Sequence, residues 1–287
     1  MKQTLLLLML RIFRRKFLGG VFIGASVALL LFAFTGTFSV AQTSSGGGPI
    51  PAPRWPDGRI SFTAPVGQVG NWDGRPGATL AHNVDERALN LFKNLSTNLS
   101  IDEVPFQPWA RALYDHRQAT FTMDDPHTRC KPSGGPRMFH TPYGFEIIDR
   151  PEHEEVLFLS VGAPHSWRIV YMDGRAHPEN FRATWFGHSV GYWEEDTLVI
   201  DTIGFNERFW LTREGIPHTW QLHLTERISR PDFNTLHYEV TIDDPGAYTE
   251  PWTGGWLVPW VSGNEPFDYA CQENNLDPTR MVGPEER

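Results

Sequence analysis

From Phe145 onward, apolar and polar residues alternate with a period of two. Seven runs read as strands: 145–148, 156–161, 166–172, 183–193, 197–203, 218–228 and 236–242. Asp-Gly, Pro-Asp and Asp-Asp-Pro punctuation separates them. Successive strands with short turns predict a mainly β protein. Its antiparallel meander would close into a lipocalin-like barrel or curve as a sheet. Upstream the pattern changes. Residues 85–95 predict a short helix with Ala88, Leu91, Phe92 and Leu95 on one face, and a second helix starts at Pro108 and runs to about 118. Residues 42–82 are rich in Gly, Pro and Ser without periodicity, which predicts a flexible lead-in with extended arms. After Pro251, Trp252, Trp256 and Trp260 recur at every fourth position among Gly254, Gly255 and Pro259. That stretch reads as a loop with aromatic plugs. Residues 83–287 thus form one β-rich domain.

Composition fits a globular chain: 40% hydrophobic and 21% charged residues. Frequent Gly (26) and Pro (23) favour short strands over long helices, and the many Trp (11) and Phe (19) suit half-buried pleated surfaces.

Charge is unevenly placed. Arg11, Arg14, Arg15 and Lys16 precede an apolar run over 17–34, and Ser39-Val40-Ala41 supplies small residues before Gln42. This is the layout of a secretory signal over 1–41. Within it, Phe13-Arg14-Arg15-Lys16-Phe17-Leu18 resembles the twin-arginine export motif. The alternative is an uncleaved membrane anchor, for which the apolar run is about long enough. Five of the 25 basic residues and none of the 34 acidic ones lie in 1–41, so the remainder carries 20 against 34, a net charge of −14. That balance excludes nucleic acid as a partner class. The membrane is met only through the export segment. In an oxidising compartment Cys130 and Cys271, the only cysteines, are expected to form a disulfide.

Polar residues interrupt three apolar faces. In 218–228 one face holds His218, Trp220, Leu222, Leu224, Glu226 and Ile228. A carboxylate there is costly unless paired, and desolvation would suit it to proton transfer. The structural alternative is an ion pair with an arginine on a neighbouring strand. A two-residue turn at Glu194-Glu195 would set Trp193 opposite Asp196, and hence His188 opposite Asp201. A carboxylate-oriented imidazole is a tuned general base; the alternative is a buried histidine that staples the hairpin. Glu195 stands where a tight turn prefers glycine, and a one-residue slip would pair His188 with Thr202 instead. Arg168 lies between Ser166 and Val170, placed to pair with Glu226 or Asp201 or to hold an anionic ligand.

Other chemistries find little support. His177, His188, His218 and His223 are metal-ligating types, yet no His-Glu-x-x-His or three-ligand spacing accompanies them. No Gly-x-Ser-x-Gly elbow, phosphate loop or dinucleotide fingerprint is present. No cofactor is predicted, with metal or haem left open.

Gly-His-Ser-Val-Gly-Tyr-Trp at 187–193 continues to Asp-Thr-Leu-Val-Ile-Asp-Thr at 196–202. Arg-Ile-Val-Tyr-Met-Asp-Gly-Arg at 168–175 is followed by His177-Pro178. With Glu226-Arg227, Asp244-Pro245 and Pro251-Trp252, these strings resemble a family of exported bacterial proteins known only as uncharacterised. The resemblance spans roughly 105–275 and implies no catalytic residues. Glu195 stands where that family carries Gly.

The expectation is an exported enzyme acting by general acid/base catalysis on a small organic molecule, aromatic or sugar-derived, in a barrel cavity. His188 would be the base, Asp201 its orienter and Glu226 the acid. Arg168 would anchor the substrate, with Tyr171, Trp185, His218 and Trp220 as binding residues. The alternatives are a non-catalytic periplasmic carrier of a small apolar ligand and a metal- or haem-binding barrel.

Overall fold

The computed structural model describes residues 48–74, 78–82, 94–120, 122–141, 143–162, 165–273 and 275–276. The expected export segment lies outside the described residues, as does the expected helix over 85–95 apart from its last two positions.

Nine strands follow one another: β1 (Gly70–Trp72), β2 (Phe145–Arg150), β3 (Glu155–Ser160), β4 (Ser166–Tyr171), β5 (His188–Glu194), β6 (Thr197–Ile203), β7 (His223–Asp232), β8 (Thr235–Asp243) and β9 (Trp252–Ser262). They close into a ring in chain order, with Trp72 of β1 opposite Trp260 of β9 at the seam. The mainly β closed sheet expected from the alternation is what forms. The second predicted helix forms too, as α1 (Pro108–Ala119), with proline in its first turn where a missing N–H is harmless.

Three features depart from the simple meander. Strand β4 pairs with β5 in parallel, through Val170↔Ser189 and Tyr171↔Val190. Parallel neighbours need a crossover, and residues 172–187 supply it. The run expected from 218 begins as a strand only at His223, because 219–222 make a turn closed by Leu222 N–H donating to the Thr219 carbonyl. The tail read as a loop is an eleven-residue strand, β9. Its tryptophans are two pleats apart, so all three face inward with Gly254 and Val258. The glycines that read as loop punctuation serve close approach. A Cβ on Gly254 would run into the Leu80 carbonyl, and one on Gly255 into that of Tyr238.

The ring is filled from within. A 3₁₀ segment, Gly135–His140, is buried along its whole length. Its Phe139 packs edge-on against Phe145 and Phe158, and its ring centroid lies 4.3 Å from that of Tyr238. Each such fully buried side chain contributes about 1.5–3 kcal/mol. Cys130 and Cys271 are disulfide-bonded. Part of the lead-in lies along the barrel as an extended arm. Ile60 and Phe62 are buried, the Ile50 carbonyl accepts from Phe233 N–H, and Arg54 clasps Asp196 with two bonds of 2.8 and 2.6 Å.

Candidate functional site

The residues expected to converge are divided between the two faces of the sheet. Inside, Arg168 (β4) donates Nε–H to Ser189 Oγ at 2.9 Å and Nη2–H to Thr202 Oγ1 at 2.7 Å. It also grips Glu226 (β7) with both terminal nitrogens, the Nη1–Oε1 bond measuring 3.0 Å. Tyr238 O–H donates to Glu226 Oε1 at 2.9 Å. All five side chains are buried. Burial, with the Glu226 charge beside it, drives the Tyr238 phenol well above its ordinary value. Of the two partners weighed for Arg168, Glu226 is the one it holds. Both carboxylate oxygens and most guanidinium donors are engaged within the protein, which is what a buried charge requires.

His188 and Asp201 lie on the outer face. Their expected pairing is corrected by the observed register, in which His188 sits opposite Ile203 and Asp201 opposite Val190. The central turn residues are Glu195 and Asp196, not Glu194 and Glu195. Glu195 adopts a left-handed φ of +53°, while Arg54 holds Asp196 and Arg227 holds Glu194. A two-residue shift keeps every side chain on its face, so His188 and Asp201 still share one. That face is outward because the inner space beside β5 is already taken. A Cβ on Gly191 would meet Met172 Sδ and Val170 Cγ1 at 2.7 Å, so small residues, Ser189 and Gly191, point in and Val190 and Tyr192 point out. The more apolar parity of β5 is therefore the outer one.

On that outer face a four-residue chain assembles. Asp201 on β6 is flanked diagonally by His188 on β5 and His223 on β7, each two positions from its direct partner. Diagonal neighbours are within reach of long side chains. The 172–187 crossover lays His177 over them. His177 Nε2 lies 2.7 Å from Asp201 Oδ1, His223 Nε2 lies 2.6 Å from Asp201 Oδ2, and His177 Nδ1 lies 2.8 Å from His188 Nδ1. Tyr171 stacks on His188, and Arg175 lies 3.9 Å over the Tyr171 ring.

Proton positions follow from hydrogen-bonding capacity. An ionised carboxylate only accepts, so both His177 and His223 donate through Nε2. With His177 accepting at Nδ1, His188 donates Nδ1–H to it. This leaves the lone pair of His188 on Nε2. Among the described residues no hydrogen bond engages His188 Nε2 or His223 Nδ1. The chain therefore has two open ends. Burial, with His177 and Arg175 nearby, lowers the His188 pKa. The hydrogen bond to Asp201 raises that of His223 despite burial. Burial pushes the Asp201 carboxyl up, but bonds from His223 and His177 outweigh it and hold it below the ordinary value.

His223 also borders a groove of about 670 Å³, walled by Phe181, Ile203, Phe205, Trp220 and Leu222. That volume lies within the range of small-molecule sites, about 300–1,000 Å³. Trp220 lines this external groove, not the barrel interior, because the turn at 219–222 swings it out to 68% exposure. His218 is buried, its ring nitrogens 3.1 and 3.0 Å from the carbonyl oxygens of Thr219 and Phe209, and burial lowers its pKa. Trp185 is half-buried against the core.

Sequence reasoning missed His177 and His223 as members of this chain. The polar parity of β7, with His223 beside Thr225 and Arg227, reads as a plain solvated face, and His177 sits in a crossover whose path alternation does not specify. Among the described residues no three His, Cys, Asp or Glu side chains converge as a metal site. No family model, curated protein or solved structure matches the chain.

Proposed function

We propose that this protein is an exported enzyme that acts by general acid/base catalysis on a small organic molecule held in the groove beside His223. The observation that carries this is the hydrogen-bonded chain His188–His177–Asp201–His223, whose open ends are biased oppositely. A neutral His188 accepts a proton at Nε2 and a cationic His223 donates one at Nδ1. Paired groups whose surroundings push their pKa values apart are the mark of acid/base assignment. The Arg168–Glu226 cluster supports the scaffold in this scheme, not the chemistry.

The working state has His188 neutral and His223 protonated. It is populated above the His188 pKa and below that of His223, so the rate is bell-shaped around the ordinary histidine value, about 6.5. Two measurements test this. In histidine NMR titrations His223 titrates above His188, and Asp201→Asn lowers the His223 value. In a turnover screen of small hydroxylated, carbonyl and glycosidic compounds, His188→Ala and Asp201→Asn fold but lose about 10²–10⁴-fold in rate on any compound the wild type converts. Coincident titration of the two rings, or wild-type rates in both variants, overturns the proposal.

A separate apolar groove of about 440 Å³, walled by Leu157, Leu159, Trp167, Ile169 and Phe267, favours a second reading, a carrier of a small apolar ligand. There, binding of an apolar dye would be lost in Trp167→Glu while the histidine chain has no effect.

A further inference from the structure

The groove beside His223 is a built surface, and its chemistry narrows the ligand. Trp220 and Phe181 both stay accessible, at 68% and 38%. Single exposed apolar residues are common and by themselves mean little. The Trp220 turn is clamped by buried Asp244, which accepts from Thr219 N–H at 2.5 Å, Thr219 O–H at 2.6 Å and Gly246 N–H at 3.1 Å. Phe181 packs closely on Gly204, whose φ is +80° and where any Cβ would run into the ring. The molecule holds two aromatic surfaces toward solvent at the edge of one hollow.

The polar part of the lining is Glu179, Asn180, Gln221, Asp243 and His223, with no lysine or arginine. An anion finds two carboxylates and no clamp. An ammonium ion uses acceptors alone and meets the His223 imidazole. A hydroxyl group both donates and accepts, and so matches carboxylate, amide and imidazole together. A ring with C–H faces and a hydroxyl rim fits both halves of the lining, its face on an aromatic side chain and its edge on the polar groups.

We infer that this groove binds a neutral polyhydroxylated ring, a sugar unit, with one ring face laid on Trp220 and its hydroxyls held by Glu179, Asp243, Asn180 and Gln221. The inference gives a substrate class to the site proposed above and rests on that reading only for the place of the chemistry, not for binding.

The test is ligand-observed saturation-transfer NMR on the full protein. The probes are a panel of neutral mono- and oligosaccharides, with benzoate and tetramethylammonium as anionic and cationic controls. At least one sugar is expected to receive saturation, strongest on the C–H protons of one face. Trp220→Ala is expected to weaken its binding tenfold or more with the fold intact by circular dichroism. Gly204→Ala, which displaces Phe181, should weaken binding in the same assay, and Arg111→Ala, an exposed change on α1 outside the groove, should leave it unchanged. Absence of any sugar binding, binding indifferent to Trp220→Ala, or binding of a control ion in place of sugar overturns the inference. The two claims fail separately. A sugar bound but never converted removes the catalysis and keeps the ligand class, whereas conversion of a non-sugar compound that depends on His188 does the reverse.

Discussion

Arg168 and Glu226 are inseparable inside the ring. Removing one partner of a buried pair leaves an uncompensated charge, at a cost of about 3–5 kcal/mol. Arg168→Met should therefore lower the urea-unfolding free energy by that amount, and the double variant Arg168→Met/Glu226→Leu should recover much of the loss. A double variant destabilised by the sum of the two single variants would show that the pair's coupling is weak. The sequence made Glu226 conspicuous as a carboxylate on an apolar face and named Arg168 among its partners. It put His188 on the wrong face, because strand parity shows which residues travel together but not which set faces in. On β5 the hydrophobic rule is inverted by Ser189 and Gly191, which leave room for their neighbours. His223 adds a pH effect of known sign. Its folded pKa is raised, so its stabilisation is full below the unfolded value, about 6.5, and is lost as pH rises through the folded value. Thermal melts from pH 5 to 8 should fall toward those of His223→Gln at the alkaline end. The 40% exposure of the side chain keeps the difference small.

At the scale of elements, the seven expected strands were legible, though those read from 183 and 218 start five residues later, and α1 was marked by Pro108. Strand β9 was not, since Gly254, Gly255 and Pro259 carry the same letters in a loop and in a strand that must let other backbone pass. Gly255→Val would place a side chain against the Tyr238 carbonyl and open the β8–β9 ladder. The expected loss is about 3 kcal/mol or more, at the upper end for single substitutions, read by chemical denaturation; a change under 1 kcal/mol would mean the ladder yields without cost. The β4–β5 junction was also illegible. Its crossover has no periodic signal, yet it makes the one parallel pairing of the ring and delivers His177 to the outer face.

At the scale of the whole molecule, the ring closes through short pairings at β1 and between β4 and β5, and Phe139 and its neighbours occupy the space a ligand would take in a hollow barrel. The site proposed above accordingly lies on the outer surface, where the crossover and the 219–222 turn build relief on the sheet. The disulfide spans a separation of 141 residues. Replacing Cys271 by Ser should reduce stability by about 2–5 kcal/mol, measured under non-reducing conditions, and an unchanged unfolding midpoint would show that the tie adds nothing to the fold.

That tie has a topological result as well. Strands β2 to β9 all lie between Cys130 and Cys271, so most of the barrel is threaded on a covalent hoop. A protease that nicks the hoop once, for instance in the crossover, severs a peptide bond without parting the pieces. In any oxidising compartment that holds proteases, the body would stay whole until a reductant arrives.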